Sequence, residues 1–181
     1  MKDRKDPPSL VLAIDPGDVK SALVLWDGQT ILYKAILENE LALKELTQSP
    51  LNQADILAIE LIKSYGMAVS DTIFTTCIWT GRFYQYWIDH ADHAPSPAEV
   101  VLVPRLTIKM HLTHRSTAND SNVRQAIIDR LGPPGTVKAK GVTYGVRKDE
   151  WAALALALYY WDTKYNLQPT QLITQEKRSE D

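Results

Sequence analysis

The chain has 181 residues, of which 45% are hydrophobic and 23% charged, so it is long and apolar enough for one domain with a real core. No stretch approaches the ~20 uninterrupted apolar residues that span a bilayer, so we expect no membrane partner. The charged N-terminus is unlike a signal peptide, and the single cysteine, Cys77, fits a reducing compartment, so we expect a cytoplasmic location.

The charge of the chain is unevenly distributed, although its net value is only −2. Residues 1–102 have a net charge of −6, residues 103–148 of +7, and residues 149–181 of −3. A strongly basic segment in an otherwise acidic chain can form a local phosphate-binding face. The alternative is a solvated surface on which the charges are spread unevenly.

The first half of the chain predicts three antiparallel strands, a short helix and a central strand. Apolar runs mark the strands, and Asp27-Gly28 between two of them indicates a hairpin. The predicted ranges are strands 10–14, 21–26 and 31–37, helix 39–48 and strand 56–59.

The second half predicts one more strand among four helices. Ser70-Asp71 and Asp120 have the chemistry of helix caps, and Pro104 suits the first turn of a helix. The predicted ranges are helix 71–90, strand 100–103 and helices 104–112, 121–131 and 150–163. We therefore expect an α/β protein with a mixed five-stranded sheet and helices on both faces. The domain would cover residues 9–165, with flexible tails at 1–8 and 166–181.

Three carboxylates stand where a ligand site would form. Asp15 and Glu60 each end a buried strand, and Asp149 precedes an alanine-rich helix. A carboxylate at the end of a buried strand is costly unless it is paired or binds a cation. If the three converge, they favour a hard divalent ion such as magnesium, and two such ions can clamp a phosphodiester.

Each carboxylate also has an ordinary structural interpretation. Asp15-Pro-Gly-Asp is a common turn, Glu60 could be a satisfied buried acid, and Asp149-Glu150 is a natural helix start because acids stabilise the N-terminal dipole. The functional interpretation depends on the three occurring together, in this order, on these elements.

With these residues in this order, the sequence resembles the RuvC family of Holliday-junction resolvases, in particular its phage-type members. Ala-Ile-Asp15-Pro-Gly with Ser21-Ala22 is similar to the first motif, and Leu-Ala-Ile-Glu60 to the second. The stretch from Pro104-Arg105 to Val123-Arg-Gln precedes a final acidic helix in the same way, and Lys148-Asp-Glu-Trp-Ala-Ala is similar to that helix. The resemblance covers residues 10–160.

The resemblance implies an RNase H-like fold, a homodimer, and a Mg²⁺-dependent endonuclease that resolves branched DNA with two metal ions, for which Mn²⁺ would substitute. It places metal ligands at Asp15, Glu60 and Asp149. Members of the family usually carry two acids, or a His and an Asp, three residues apart on the last helix, whereas the residue three after Asp149 is Ala152. Either Glu150 is the fourth ligand or the site has three. A phage-encoded protein would act in the cytoplasm of its host.

Basic residues of the central segment are the candidate DNA contacts, because Lys and Arg position phosphates without reading sequence. Tyr65, in the loop after Glu60, is a candidate for stacking on a base, or else packs on its own domain. The candidates besides Tyr65 are Lys63, Arg105, Lys109, Arg115, Lys138, Lys140, Arg147 and Lys148.

The predicted helix 71–90 has too many aromatic residues on too many faces for one buried stripe. The remainder would form the interface of a twofold homodimer. Two other functions stay open: an RNase H-like nuclease acting on flaps or RNA–DNA hybrids, and an inactive DNA-binding module on the same fold. The presence of Asp15, Glu60 and Asp149 argues against the last of these, and the missing acid at Ala152 keeps it open.

Overall fold

The computed structural model of the chain describes residues 10–64, 66, 69–90 and 99–165. The predicted tails 1–8 and 166–181 lie outside the described residues. Ten main elements follow one another along the chain. They are β1 (Val11–Asp15), β2 (Lys20–Trp26), β3 (Ile31–Glu38), α1 (Asn39–Glu45), β4 (Ile56–Leu61), α2 (Asp71–His90), β5 (Glu99–Pro104), α3 (Arg105–Thr113), α4 (Asp120–Leu131) and α5 (Glu150–Tyr165).

The five strands form one mixed sheet in the order β3-β2-β1-β4-β5. β1, β2 and β3 are antiparallel neighbours, while β4 pairs parallel with both β1 and β5. Gly28 makes the hairpin between β2 and β3 with a φ of +96°, and a side chain there would collide with the Trp161 ring. The predicted mixed five-stranded sheet is confirmed.

Both faces of the sheet are covered by helices. Alternate residues of β1, such as Val11 and Ala13, pack with α3, α4 and α5, whereas Leu12 and Ile14 pack with α1 and α2. This alternation follows from the period of two in a strand, which sends successive side chains to opposite faces. The inner strands are therefore apolar on both sides, as the continuous runs in the sequence predicted.

Most elements differ from their predicted ranges by one or two residues at the ends, where local propensity says least. Two differences concern the candidate site. Strand β4 continues past Glu60 to Leu61, so Glu60 lies within the ladder instead of ending it. The predicted helix cap at Asp120 was wrong: Asn119 is the cap, because its side chain accepts the backbone N–H of Asn122 in a reciprocal capping box. Asp120 is thereby free to point elsewhere.

Helices α3, α4 and α5 are joined by a buried ion cluster. Asp162 of α5 is fully buried, and its two carboxylate oxygens accept hydrogen bonds from the guanidinium of Arg130 on α4. His111 of α3 lies 2.7 Å from the same carboxylate through Nε2. The cluster fixes α3, which carries residues of the candidate site, against α5. Within the described ranges no helix is long and apolar enough to cross a bilayer.

We expect Asp162→Asn to destabilise the fold by about 3–5 kcal/mol, because the buried guanidinium of Arg130 would lose its counter-charge. The free energy of unfolding in urea measures this. The control is Asp129→Asn, which removes an exposed carboxylate of α4 that accepts a hydrogen bond from the Gln125 side chain. That variant should stay within about 0.5 kcal/mol of the parent chain. Equal effects of the two substitutions would contradict a structural role of the cluster.

Candidate active site

The parallel pairing of β1 and β4 brings Asp15 and Glu60 together. Ile14 is in register with Ile59, so Asp15 and Glu60 are the next residues on adjacent strands. Both follow the alternation that faces α3, α4 and α5, because Ala13 and Ala58 belong to that core. Glu60 is buried and Asp15 is half-buried. The predicted convergence of these two carboxylates is thus present in the sheet.

The turn that follows Asp15 is held by a small buried network. Ser21 donates from Oγ to Asn39 Oδ1 at 2.6 Å, and Asn39 donates from Nδ2 to the carbonyl of Gly17 at 3.0 Å. Ser21 and Asn39 are both buried. A side chain at Gly17 would collide with the carbonyl of Lys20. The Asp15 backbone is therefore fixed from β2 and α1, a role that sequence reasoning missed for Asn39.

Asp149 lies directly before α5 and its carbonyl accepts hydrogen bonds from the amides of Ala152 and Ala153. Its side chain is exposed and lines a cleft of about 70 Å³ that Glu60 also lines. Glu150, the candidate fourth ligand, is buried, and its Oε2 accepts the backbone N–H of Arg147 at 2.9 Å. The Glu150 carboxylate thus caps the start of the helix in this structure.

Arg105 forms the central contact of the site. Its Nη1 donates to Glu60 Oε1 at 2.8 Å, and its Nη2 donates to Asp120 Oδ1 at 2.8 Å. Lys109, one turn along α3, lies 3.6 Å from the same oxygen of Asp120. The sequence indicated Arg105 and Lys109 as phosphate contacts, and it did not indicate Asp120 as part of the site. One feature of the sequence pointed to a nearby acidic partner for Arg105. Arg105 begins α3, where the helix dipole disfavours a positive charge.

The pKa values show how crowded the negative charge is. Burial and then the neighbouring charge of Glu60 raise the pKa of Asp15 well above its ordinary value, and Asp149 and Asp120 add to this. Burial also raises the pKa of Glu60, against the opposing charge and hydrogen bond of Arg105. Arg105 lowers the pKa of Asp15 as well. Arg105, helped at Glu60 by Lys109, therefore offsets only part of the charge of these carboxylates.

Asp120 shows the opposite balance. Burial acts to raise the pKa of Asp120, but the hydrogen bond and charge of Arg105, helped by Lys109, outweigh it and lower that pKa. Desolvation acts to lower the pKa of Arg105, yet Glu60 and Asp120 raise it above its ordinary value. The bridge thus favours the charged forms of Arg105 and Asp120.

The donor chemistry of the site fits a divalent cation, because carboxylate oxygens are the ligands that magnesium and manganese prefer. The crowding of Asp15, Glu60 and Asp149 that raises the pKa of Asp15 fits the same interpretation. In the part of the chain that the structure describes, however, no three His, Cys, Asp or Glu side chains are grouped as metal ligands would be. The Arg105 guanidinium occupies Glu60 Oε1 instead.

Four of the candidate DNA contacts lie around the carboxylates. Arg105, Lys109 and Lys148 line the cleft with Glu60 and Asp149. A second cleft, of about 260 Å³, shares Glu60, Arg105 and Lys109 with the first and is also lined by Lys63. Lys148 has a left-handed backbone with a φ of 48°, which orders the chain just before Asp149.

The other candidate contacts lie outside the two clefts. Arg115, Lys138, Lys140 and Arg147 are exposed, and Lys140 lies 5.2 Å from the centre of the Tyr144 ring. Tyr65 lies outside the described residues. Arg124, another residue of the basic segment, lies over the ring of Trp151, which lines the first cleft. The distance from Arg124 Cζ to the centre of that ring is 4.9 Å.

Helix α2 has one buried and one exposed apolar face. Phe83 and Trp87 lie in the buried stripe with Thr76 and Thr80. The opposite face is occupied by apolar side chains that are 38–62% exposed and by the exposed Gly81. These are Phe74, Ile78, Tyr84 and Ile88.

Solved structures with the same fold are found among junction resolvases. The chain is similar to Thermus thermophilus RuvC, with 16% identity and a TM-score of 0.61 over 87% of this chain and 97% of that one. It is also similar to T. thermophilus RuvC in complex with Holliday junction substrate, with 14% identity and a TM-score of 0.63 over 88% and 97%. The yeast mitochondrial Holliday junction resolvase Ydc2 matches with 11% identity and a TM-score of 0.59 over 94% and 85%. No protein-family model and no curated protein matches the chain.

The fold class is therefore that of the RNase H-like α/β proteins, as predicted from the sequence. Within that class the chain has the form of the fold found in RuvC, and the resemblance of the motifs is confirmed at the level of the fold.

Asp15→Asn should raise the melting temperature of the metal-free protein at neutral pH. The pKa of Asp15 in the folded state lies above its ordinary value of 3.8, so ionisation of this carboxylate as the pH rises destabilises the folded state relative to the unfolded one. The gain in the variant should be absent at about pH 3 and grow towards neutral pH, by about 2–4 °C per kcal/mol. Thermal melts in EDTA across this pH range measure it.

Asp18→Asn removes an exposed charge from the same turn and serves as the control. It should leave the melting temperature within about 1 °C at every pH. A variant at Asp15 that melts lower than the parent at neutral pH would refute the crowding of charge described above.

Proposed function

We propose that the chain is a structure-specific DNA endonuclease that resolves Holliday junctions and related branched DNA by metal-dependent hydrolysis. The observation that supports this most is the juxtaposition of Asp15 and Glu60 on adjacent strands, with Asp149 lining the same cleft as Glu60. The similarity of the fold to a RuvC solved with Holliday junction substrate supports the substrate class.

In this proposal Asp15, Glu60 and Asp149 would hold two Mg²⁺ ions, and Glu150 is the candidate for a fourth ligand. Mn²⁺ would substitute for Mg²⁺. The bound ions supply a nucleophilic water and offset the charge on the scissile phosphate. The residues of the chain bind and orient. Glu60, buried at the base of the cleft, provides a fixed ligand, while the exposed Asp149 can adjust to the phosphate.

Cations around the cleft would hold the DNA backbone. Lys63, Lys109 and Lys148 border the carboxylates closely enough to contact phosphates next to the cut. Arg115, Lys138, Lys140 and Arg147 would contact phosphates further away. Tyr65 is proposed to stack on a base at the opened centre of the junction.

A homodimer through α2 would present two such sites to two strands of a four-way junction. The exposed apolar face of α2 is symmetric about Gly81, near the middle of the helix. Two antiparallel copies crossing at Gly81 would place Phe74 against Ile88 of the second copy, and Ile78 against its Tyr84. Gly81 allows close approach, because no atom lies within 4 Å of the position that a Cβ would take there.

The decisive experiment compares a labelled synthetic four-way junction with a linear duplex, a flap and an RNA–DNA hybrid, in Mg²⁺, Mn²⁺ or EDTA. We expect paired, symmetric nicks in the junction alone, abolished by EDTA. Asp15→Asn should lose at least about 100-fold in rate and keep its junction affinity, because the basic residues are unchanged. The control is Asp18→Asn, which should cut at the parental rate.

Other outcomes would favour the other two functions. Preferential cutting of flaps or hybrids would indicate an RNase H-like nuclease with a different substrate. Tight junction binding with no cutting of any substrate would indicate a binding module, in which Ala152 marks a lost ligand.

Ile78→Glu should convert the dimer to a monomer, because it buries a charge at the centre of the proposed interface. Light scattering after size exclusion measures the mass. Leu32→Glu, at a similarly exposed apolar residue of β3, is the control and should remain dimeric. A monomeric parent protein, or an unchanged dimer of Ile78→Glu, would refute the interface.

A further inference from the structure

Arg105 is placed where a helix tolerates a cation poorly. It is the first residue of α3, and the positive end of the helix dipole disfavours a second positive charge there. Two carboxylates explain its presence: Glu60, whose side chain is 6% exposed, and Asp120, whose side chain is 76% exposed. The guanidinium thus joins the buried floor of the cleft to its solvent edge.

The same oxygen has two potential partners. Glu60 Oε1 accepts the hydrogen bond of Arg105, and within the described residues the ion pair of Glu60 is formed with Arg105 alone. A divalent cation at the proposed site would use the oxygens of the same buried carboxylate. Because the guanidinium and the cation repel each other, binding of the cation at this carboxylate disfavours the contact with Arg105.

The hydrogen bond to Asp120 would still hold the Arg105 guanidinium after it left Glu60. The Arg105 side chain is 39% exposed, so it can move towards the solvent edge without crossing the core. Asp120 is oriented for this because Asn119, and not Asp120, caps α4. Lys109, the second cation near Asp120, lies 3.6 Å from it, and among the described residues the ion pair of Glu60 is with Arg105 and not with Lys109.

We propose that Arg105 is a resident counter-cation that neutralises the carboxylates of the metal-free protein, and that a divalent cation must displace it from Glu60. Asp120 then retains the displaced guanidinium at the edge of the cleft, where it can bind a DNA phosphate. The inference rests on the proposed function for the identity of the metal ligands. It assigns Arg105 a positioning role that sets metal affinity, in addition to any contact with DNA.

Calorimetric titration of Mn²⁺ into the full chain without DNA tests the proposal. Arg105→Gln should bind Mn²⁺ about tenfold more tightly than the parent, or more, because the cation no longer competes with a charge-assisted hydrogen bond. Lys109→Gln is the matched control: it removes one positive charge from the same cleft but leaves Glu60 paired. It should change Mn²⁺ affinity by less than about threefold.

The outcomes separate this inference from the proposed function. If the parent and Arg105→Gln bind Mn²⁺ equally, and Asp15→Asn abolishes binding, the metal site stands and the displacement is refuted. Equal gains in Arg105→Gln and Lys109→Gln would also refute it, since general electrostatics would then suffice. If Arg105→Gln and the parent both fail to bind Mn²⁺, the displacement and the metal site of the proposed function fail together.

A second measurement reads the displacement in the parent chain itself, so an effect of Arg105→Gln on folding cannot account for it. The side-chain nitrogen resonances of Arg105 can be followed by NMR while Mg²⁺ is added to the isotope-labelled parent chain, with Arg105→Lys used for assignment. We expect the resonances to shift at the Mg²⁺ concentrations that saturate the site. Resonances that stay in place at saturation would overturn the proposal.

Discussion

A buried glutamate at the end of the β1–β4 pairing requires a positive partner, and the ion pairs of the site follow from this requirement. Glu60 lies within β4 and is almost fully removed from water, next to Asp15 on β1. Ionised carboxylates in such a place are costly unless a cation neutralises them. Arg105 meets the need in this structure, and its position between Glu60 and Asp120 links the floor of the cleft to α3 and α4. The high pKa of Asp15, which burial and Glu60 raise, shows that this neutralisation is incomplete.

The helices that cover this face of the sheet carry the rest of the site, so their relative placement controls its geometry. Asp162, Arg130 and His111 join α5, α4 and α3 through one buried cluster. The other face of the sheet packs against α1 and α2. Its contribution is indirect: Asn39 of α1 holds the turn after Asp15, and α2 exposes an apolar face that a second copy could cover. Catalysis and assembly are thus proposed to lie on opposite faces of one sheet.

The sequence predicted much of the fold because its strongest patterns are local. Continuous apolar runs marked the inner strands, Asp27-Gly28 marked the hairpin, and the helix over Asp71–His90 has the predicted bounds. Prediction failed where two local signals competed. Asp120 and Asn119 are both good helix caps, and only the hydrogen bond to Asn122 shows that Asn119 is used. For α2, the composition indicated a surplus of aromatic residues, but packing against the sheet decided that Phe83 and Trp87 are buried and Phe74 is not.

The sequence by itself determined which residues are candidates for the site: two acids at the ends of apolar runs, a third before an alanine-rich helix, and a basic segment that precedes this third acid. Such features are readable because strand period, burial and charge are properties of neighbouring residues. Only the tertiary structure decided how those charges are paired. Arg105 and Glu60 are 45 residues apart in the chain, and nothing local indicates their contact. It exists because the parallel pairing of β4 and β5 brings the start of α3 beside the buried carboxylate, where the cost of desolvation selects the nearest cation.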